Sequence, residues 1–300
     1  MNTQVITQPG AEIPSFLSGI PGVQIGEMFP ALGFSRILMV GPPKVGKSTM
    51  FAKYEGAFID DPENAHGLVS GSKAVRFGPY QDAKGVITVP SFSDYRKAHE
   101  ALFAAHKAGK NKRITTVVLD TVDSLVDARI TEFTNEKKLN HISEYSSHSG
   151  NGYSICYADV IQMIGAIENA GLGWVAIAHL APKTVRGGEG DTVITQISLP
   201  EKILSYLHKR CDHFFGMTEK SVPNVVKKVL PGGKEVEVQA GTRQVRVLEA
   251  SKVGGRIFKA GQLEGAGSRI SFPDEIEISL DNGWHDLEKV YNESIKGGAV

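Results

Sequence analysis

Cysteine is scarce in this sequence: Cys156 and Cys211 stand far apart in 300 residues, with no CxxC pair. That excludes a disulfide framework and a cysteine-rich zinc site, and it fits two reduced thiols. No apolar run reaches the roughly 18 residues that a membrane-spanning helix needs. The opening stretch MNTQVITQPGAEIP has neither a basic segment nor an apolar core. It does not read as a secretion signal, so the expected location is the cytosol, or the bacterial host cytosol if the gene is phage-borne. An excess charge is missing too, since 33 Lys+Arg balance 33 Asp+Glu. There is thus no global basic signature for a polyanion partner. The local balance is less even: residues 181–260 hold 14 Lys+Arg against 8 Asp+Glu, a net of +6. A solvated face explains that excess as well as a polyanion partner does. No NKxD stretch is present, which argues against a guanine-reading switch.

What remains is ordinary for a globular α/β chain: 41% hydrophobic and 22% charged residues. Residues 1–30 are rich in Pro, Gly and Ser and carry no Lys or Arg, and they read as a flexible arm. Residues 31–298 read as a single domain, with a β-rich extension from about 212. The expected elements are a strand at 36–40, a helix at 47–55, a strand at 57–60 and a short strand at 86–89. A helix capped by Ser91 or Ser93 is expected to end at Gly109. Buried strands follow at 114–120 and 173–179, each with a helix before or after it. Residues 140–154 and 181–196 read as polar loops. The last third alternates in short segments that suggest antiparallel hairpins, with PGGK at 231–234 as a turn. Strands alternating with helices predict a mainly parallel sheet with helices on both faces, extended by antiparallel C-terminal strands.

The most informative stretch is ILMVGPPKVGKSTMF. Gly41, Pro42, Pro43, Lys44, Val45, Gly46, Lys47 and Ser48 match GxxxxGK[ST], between an apolar strand and a helix. Such a loop curls its backbone N–H groups around phosphate oxygens, and the helix dipole adds positive potential. Lys47 is expected to reach the β and γ phosphates, and the Ser48 hydroxyl to ligate Mg²⁺. Thr49 packs or bonds nearby. The expected cofactors are therefore ATP and Mg²⁺.

TVVLD ends a buried strand in Asp120, where ligands bind in open α/β sheets. Asp120 is the expected second Mg²⁺ ligand, on a strand neighbouring the loop strand. Asp123 reads as a first-turn acid of the next helix. WVAIAH ends another buried strand in His179, which is placed to sense the γ phosphate, or else is a hydrogen-bonded core histidine. FIDDPE supplies carboxylates for orienting an attacking water, with Glu63 as first choice and Asp61 as second.

These pieces, in this order, resemble the RecA-like ATPase core. FID followed by Glu63 is similar to the stretch that carries the hydrolytic glutamate. LDTVDSL is similar to the Mg²⁺ strand and its turn. WVAIAH carries histidine where RecA proteins usually have glutamine. GSRISFPDEIEI is similar to a C-terminal pattern of small phage nucleotide-binding proteins. The nearest likeness is to single-strand-annealing recombinases of the Sak type, over roughly residues 34–290. That resemblance implies ATP-dependent binding of single-stranded DNA by two loops. The first would offer Tyr145, His148 and Tyr153 for stacking. The second would offer Lys183 and Arg186 for phosphates, with Gly187, Gly188 and Gly190 for adaptability and Glu189 and Asp191 opposing. It also implies a homo-oligomeric filament or ring, a possible phage single-strand-binding partner, and a cation in trans from Lys252, Arg256, Lys259 or Arg269. Two other readings are a nucleotide-dependent scaffold, loader or packaging accessory, and a small-molecule phosphotransferase. The second needs an arginine-rich lid, and RGGEGDTVITQ has one arginine and two acids.

Overall fold

The computed structural model describes residues 3–6, 27–65, 69–147, 150–187, 190–229, 235–250, 272–279 and 282–297. In chain order, β1 (Thr3–Ile6) pairs antiparallel with β2 (Glu27–Pro30). β3 (Arg36–Gly41) leads through the glycine-rich loop into α1 (Lys47–Ala52). β4 (Ala57–Asp60) and β5 (Val75–Phe77) follow. A small hairpin of β6 (Tyr80–Gln81) and β7 (Ile87–Thr88) precedes α2 (Phe92–Lys107). β8 (Thr116–Asp120) and α3 (Val122–Lys137) come next. After them stand β9 (Ser146–Ser147), β10 (Gly150–Asn151) and α4 (Gly152–Asn169). β11 (Gly173–Gly187) and β12 (Gly190–Ile197) form a hairpin ahead of α5 (Glu201–Arg210). The chain then runs through β13 (His213–Val229), β14 (Glu235–Ala250), β15 (Glu275–Ile278) and α6 (Gly283–Gly297).

The central sheet has nine strands in the order β15-β14-β13-β3-β11-β8-β4-β5, with β12 on β11. The strands from β13 to β5 pair in parallel, while β14, β15 and β12 pair antiparallel with their neighbours. Apolar residues on both sides of each central strand explain why it is covered twice. Leu38, Val40, Val117, Leu119, Trp174 and Ala176 pack under α2, α3, α4 and α5. Ile37, Met39, Val118, Val175 and Ile177 face α1 and α6 across the sheet. This is the expected arrangement: a mainly parallel sheet between two helix layers, extended by antiparallel strands.

Local chemistry sets the helix starts. Ser91 caps α2 in a reciprocal box with Asp94, so of the two expected caps it is Ser91 that serves. Asn151 caps α4 through the Ser154 amide at 2.9 Å. Trp284 of α6 is 1% exposed and stacks on Tyr54 with ring centroids 4.5 Å apart, which fastens the last helix over the end of α1.

Four expectations need correction. The 1–30 arm contains β1 and is closed by β2, because TQVI and EMFP can satisfy each other's backbone groups. Residues 140–154 are not all loop: β9 and β10 pair, and α4 already starts at Gly152. Residues 181–187 and 190–196 pair as the two strands of a hairpin, with Leu180 opposite Ile197 and Gly187 opposite Gly190. Its β-branched residues favour strands more than its glycines favour a loop. Finally, β8 does not adjoin β3, because β11 lies between them. The PGGK turn lies outside the described residues, as do residues 7–26. Among the described residues, no helix is long and apolar enough to cross a membrane.

Candidate nucleotide site

The phosphate loop leaves the sheet at the C-terminal end of β3. Gly41 is buried there, and a Cβ on it would lie 2.6 Å from the Met217 carbonyl oxygen of β13. Only glycine lets the loop begin so close to its neighbour strand. Pro42, Pro43 and Lys44 are exposed, and Val45 is buried under them. Lys44 and Gly46 have positive φ, at 66° and 101°. The turn thus presses an ordinary side chain into left-handed backbone once and uses glycine the second time. Ser48 and Thr49 are half-buried in the first turn of α1.

Lys47 is 4% exposed, and its Nζ donates to the Gly41 carbonyl at 2.9 Å and the Pro42 carbonyl at 2.8 Å. Burial pulls its pKa down to about 8, against the opposing pull of Asp120, Asp123 and Glu63. A buried ammonium held by two neutral carbonyls is short of anionic partners. Phosphate oxygens are the ligands that would balance it, so the residues present fit a nucleoside triphosphate.

Three strand ends bring the other groups to the loop. Asp120 closes β8 at 2% exposure, and the Asp120–Thr121 peptide bond is cis. His179 lies on β11 directly opposite Gly41 in the parallel ladder. Its Nδ1 is 3.5 Å from Asp123 Oδ2, in the first turn of α3. Burial pushes the Asp123 carboxyl up, but bonds from His179 and Thr121 outweigh it and hold the group below its ordinary range. Glu63 lies just beyond β4. It accepts from the Thr121 hydroxyl at 3.0 Å and also from the Ser124 hydroxyl. One ligand atom each of Glu63, Asp123 and His179 falls within 4.8 Å of the other two. The edge is strongly acidic: burial, then Asp123 and Glu63, raise the Asp127 carboxyl.

Asp61, the alternative to Glu63, is committed elsewhere. It is fully buried and accepts from Arg76 Nε at 2.5 Å and from the Ala65 amide at 2.7 Å. Asp60 beside it is bonded to His99 Nε2 at 2.8 Å. The geometry therefore brings Glu63, and not Asp61, to the cluster.

A family model described as AAA domain matches residues 34–244, from the base of the loop strand into β14. The chain belongs to the AAA domain family. No curated protein matches it in sequence. Among solved structures it is similar to the KaiC-like protein PH0186 of Pyrococcus horikoshii OT3, at 13% identity over 84% of this chain and 88% of that one, TM-score 0.39. It is also similar to the flagellar accessory protein FlaH of Methanocaldococcus jannaschii, at 10% identity over 84% and 88%, TM-score 0.35.

The residues expected to touch DNA in this AAA domain are placed differently from the sequence reading. Tyr145 is packed edge-on against Phe133, with centroids 5.0 Å apart, in a small cluster with Ile142 and Cys156. Tyr153 is in the first turn of α4, beside Tyr157 and His141. Tyr145 thus stands between a 3₁₀ turn at Ile142–Glu144 and β9, and Tyr153 stands on a helix. Lys183 and Arg186 fall on the outer half of β11, paired with Ile194 and Asp191 of β12. His148, Lys252, Arg256, Lys259 and Arg269 lie outside the described residues.

Two groups at the site escape sequence reasoning. Asp123 reads as a helix-turn acid, and nothing local in the sequence marks its contact with His179. Arg246 of β14 lies against the loop: its Nε is 2.9 Å and its Cζ 3.1 Å from where a Gly46 Cβ would stand. Its sequence setting, RQVRVLEA, shows only strand alternation.

Proposed function

We propose that the chain is an ATP- and Mg²⁺-dependent ATPase that acts on single-stranded DNA in phage-type recombination or annealing. Lys47 and the loop amides hold the triphosphate, with Gly41 to Gly46 forming the cradle. Ser48 and Asp120 hold Mg²⁺, which neutralises phosphate charge when bound. Glu63 orients water, and Asp123 fixes the His179 ring beside it. Asp60 and Asp61 serve the core.

One observation carries the coupling to a partner. β11 runs without a break from the buried core, past His179 beside Gly41, into the hairpin with β12. A residue that feels the γ phosphate and a projecting hairpin are parts of one strand. A shift of His179 is therefore transmitted along the ladder to Lys183 and Arg186. This supports a nucleotide-gated contact with a polyanion; a homo-oligomer and a phage single-strand-binding protein are the partners the proposed reading adds.

The test is binding of a fluorescent single-stranded oligonucleotide, followed by anisotropy at low salt where phosphate contacts are strongest. Binding with ATP that weakens with ADP is expected, together with a steep loss on raising salt. No binding under any nucleotide condition would overturn the DNA reading.

A second reading has its own observation. Glu63 is already tied to the Thr121 and Ser124 hydroxyls. If those bonds persist around bound ATP, hydrolysis is slow, and the protein serves as a nucleotide-dependent scaffold or loader.

A further inference from the structure

The β13–β14 hairpin flanks the phosphate loop on the side away from Asp120. β13 is bonded to β3 as far as Gly216 opposite Val40, then continues past the end of β3. β14 lies outside it, with Arg246 directly opposite Glu219. From there the Arg246 side chain reaches back to Gly46, occupying the room that the missing Cβ leaves.

Two contrasts separate Arg246 from an ordinary strand cation. Its neighbours are well paired: Lys220 lies 2.8 Å from Glu249 and 2.6 Å from Glu275, and Arg243 lies 2.7 Å from Glu277. Among the described residues Arg246 is paired only with Glu219, at 3.5 Å, and its buried Nε makes no hydrogen bond. A guanidinium that is largely removed from water needs acceptors in its fork. Lys47 turns toward the carbonyls of Gly41 and Pro42 at the start of the loop, so Arg246 stands at the other end of the same cradle.

We infer that Arg246 is a nucleotide-binding residue supplied in cis, whose guanidinium binds the phosphate chain at the Gly46 end of the loop and is held by Glu219 until nucleotide arrives. The inference rests on the nucleotide-binding reading of this site. It differs from the expected cation in trans, because the group comes from the chain's own sheet. It makes Glu219 a competitor for the arginine rather than a helper.

The test is calorimetric titration of ATP and AMP with Mg²⁺ into wild type, Arg246→Ala, Arg246→Lys and Glu219→Gln, with thermal unfolding of each protein alone. Arg246→Ala is expected to weaken ATP binding about 10- to 100-fold, the range for losing a charge-assisted contact. Arg246→Lys should lose less. Glu219→Gln should bind ATP a few-fold more tightly, a change of sign that loss of structural support does not produce. AMP, with one phosphate, should respond least. If wild type itself fails to bind ATP, the nucleotide reading falls. If wild type binds but Arg246→Ala binds equally well, this inference alone falls. Should Arg246→Ala fail to fold, unchanged ATP affinity in both Arg246→Lys and Glu219→Gln would overturn it.

Discussion

Lys47 carries its ammonium into a place where water cannot serve it, and that has two opposite consequences for pH. Its pKa of about 8 lies below the 10.5 of an unperturbed lysine. Between those values the unfolded chain holds more protons than the folded one. Lys47 therefore makes stability rise with pH from about 8 to 10.5. Phosphate binding favours the protonated lysine, so ATP affinity should be flat below about pH 8 and fall up to tenfold per unit above it. Comparing wild type with Lys47→Met, in denaturation and in ATP titration, checks both signs. Gly41 offers a separate test at the same loop. An added Cβ would stand 2.6 Å from a backbone oxygen that cannot swing aside. Gly41→Ala should cost about 1–3 kcal/mol, measured as a loss of chemical stability without nucleotide. At this scale, the placement of Lys47, Ser48, Asp120 and His179 near one sheet edge was legible, because each follows an apolar run that must be a buried strand or ends a loop of fixed spacing. Arg246 and Asp123 were not, because their contacts are made across the sheet and between separate elements.

The elements divide in the same way. β3, β8 and β11 declare themselves by continuous apolar residues, and α2 by its capping box. The hairpins do not. β13 and β14 are 17 and 16 residues long, yet they read as several short segments. Pro223 and the irregular register beside it interrupt the alternation. The β11–β12 hairpin was hidden by its glycines, since pairing partners decide whether such a stretch is loop or strand. The sixth helix gives the sharpest prediction for an element. Trp284 is nearly fully buried and lies against both Phe51 and Tyr54, at the end of the helix that bears Lys47 and Ser48. Trp284→Ala should lower stability by about 3–5 kcal/mol, read by urea denaturation. It should also weaken ATP binding, because α1 loses its backing.

Over the whole molecule, one sheet gathers every group of the site at a single edge. The loop strand has β13 on one side and β11 on the other, and β8 lies one strand further. That order puts His179 between the loop and Asp120, and puts Arg246 on the far side. The same edge sends out two long hairpins, β11–β12 and β13–β14, each beginning beside the phosphate loop. The phosphate loop and the outward surface are thus joined by continuous strands. The parallel core and its helix layers could be read from periodicity alone. The path from the loop to the surface could not, because it depends on which strands are neighbours.

The most direct measurement is steady-state ATP hydrolysis by the pure protein with Mg²⁺, with and without single-stranded DNA, beside Lys47→Ala. Hydrolysis that DNA stimulates, and that Lys47→Ala abolishes, is the predicted result. ATP binding with neither turnover nor any response to DNA would contradict it.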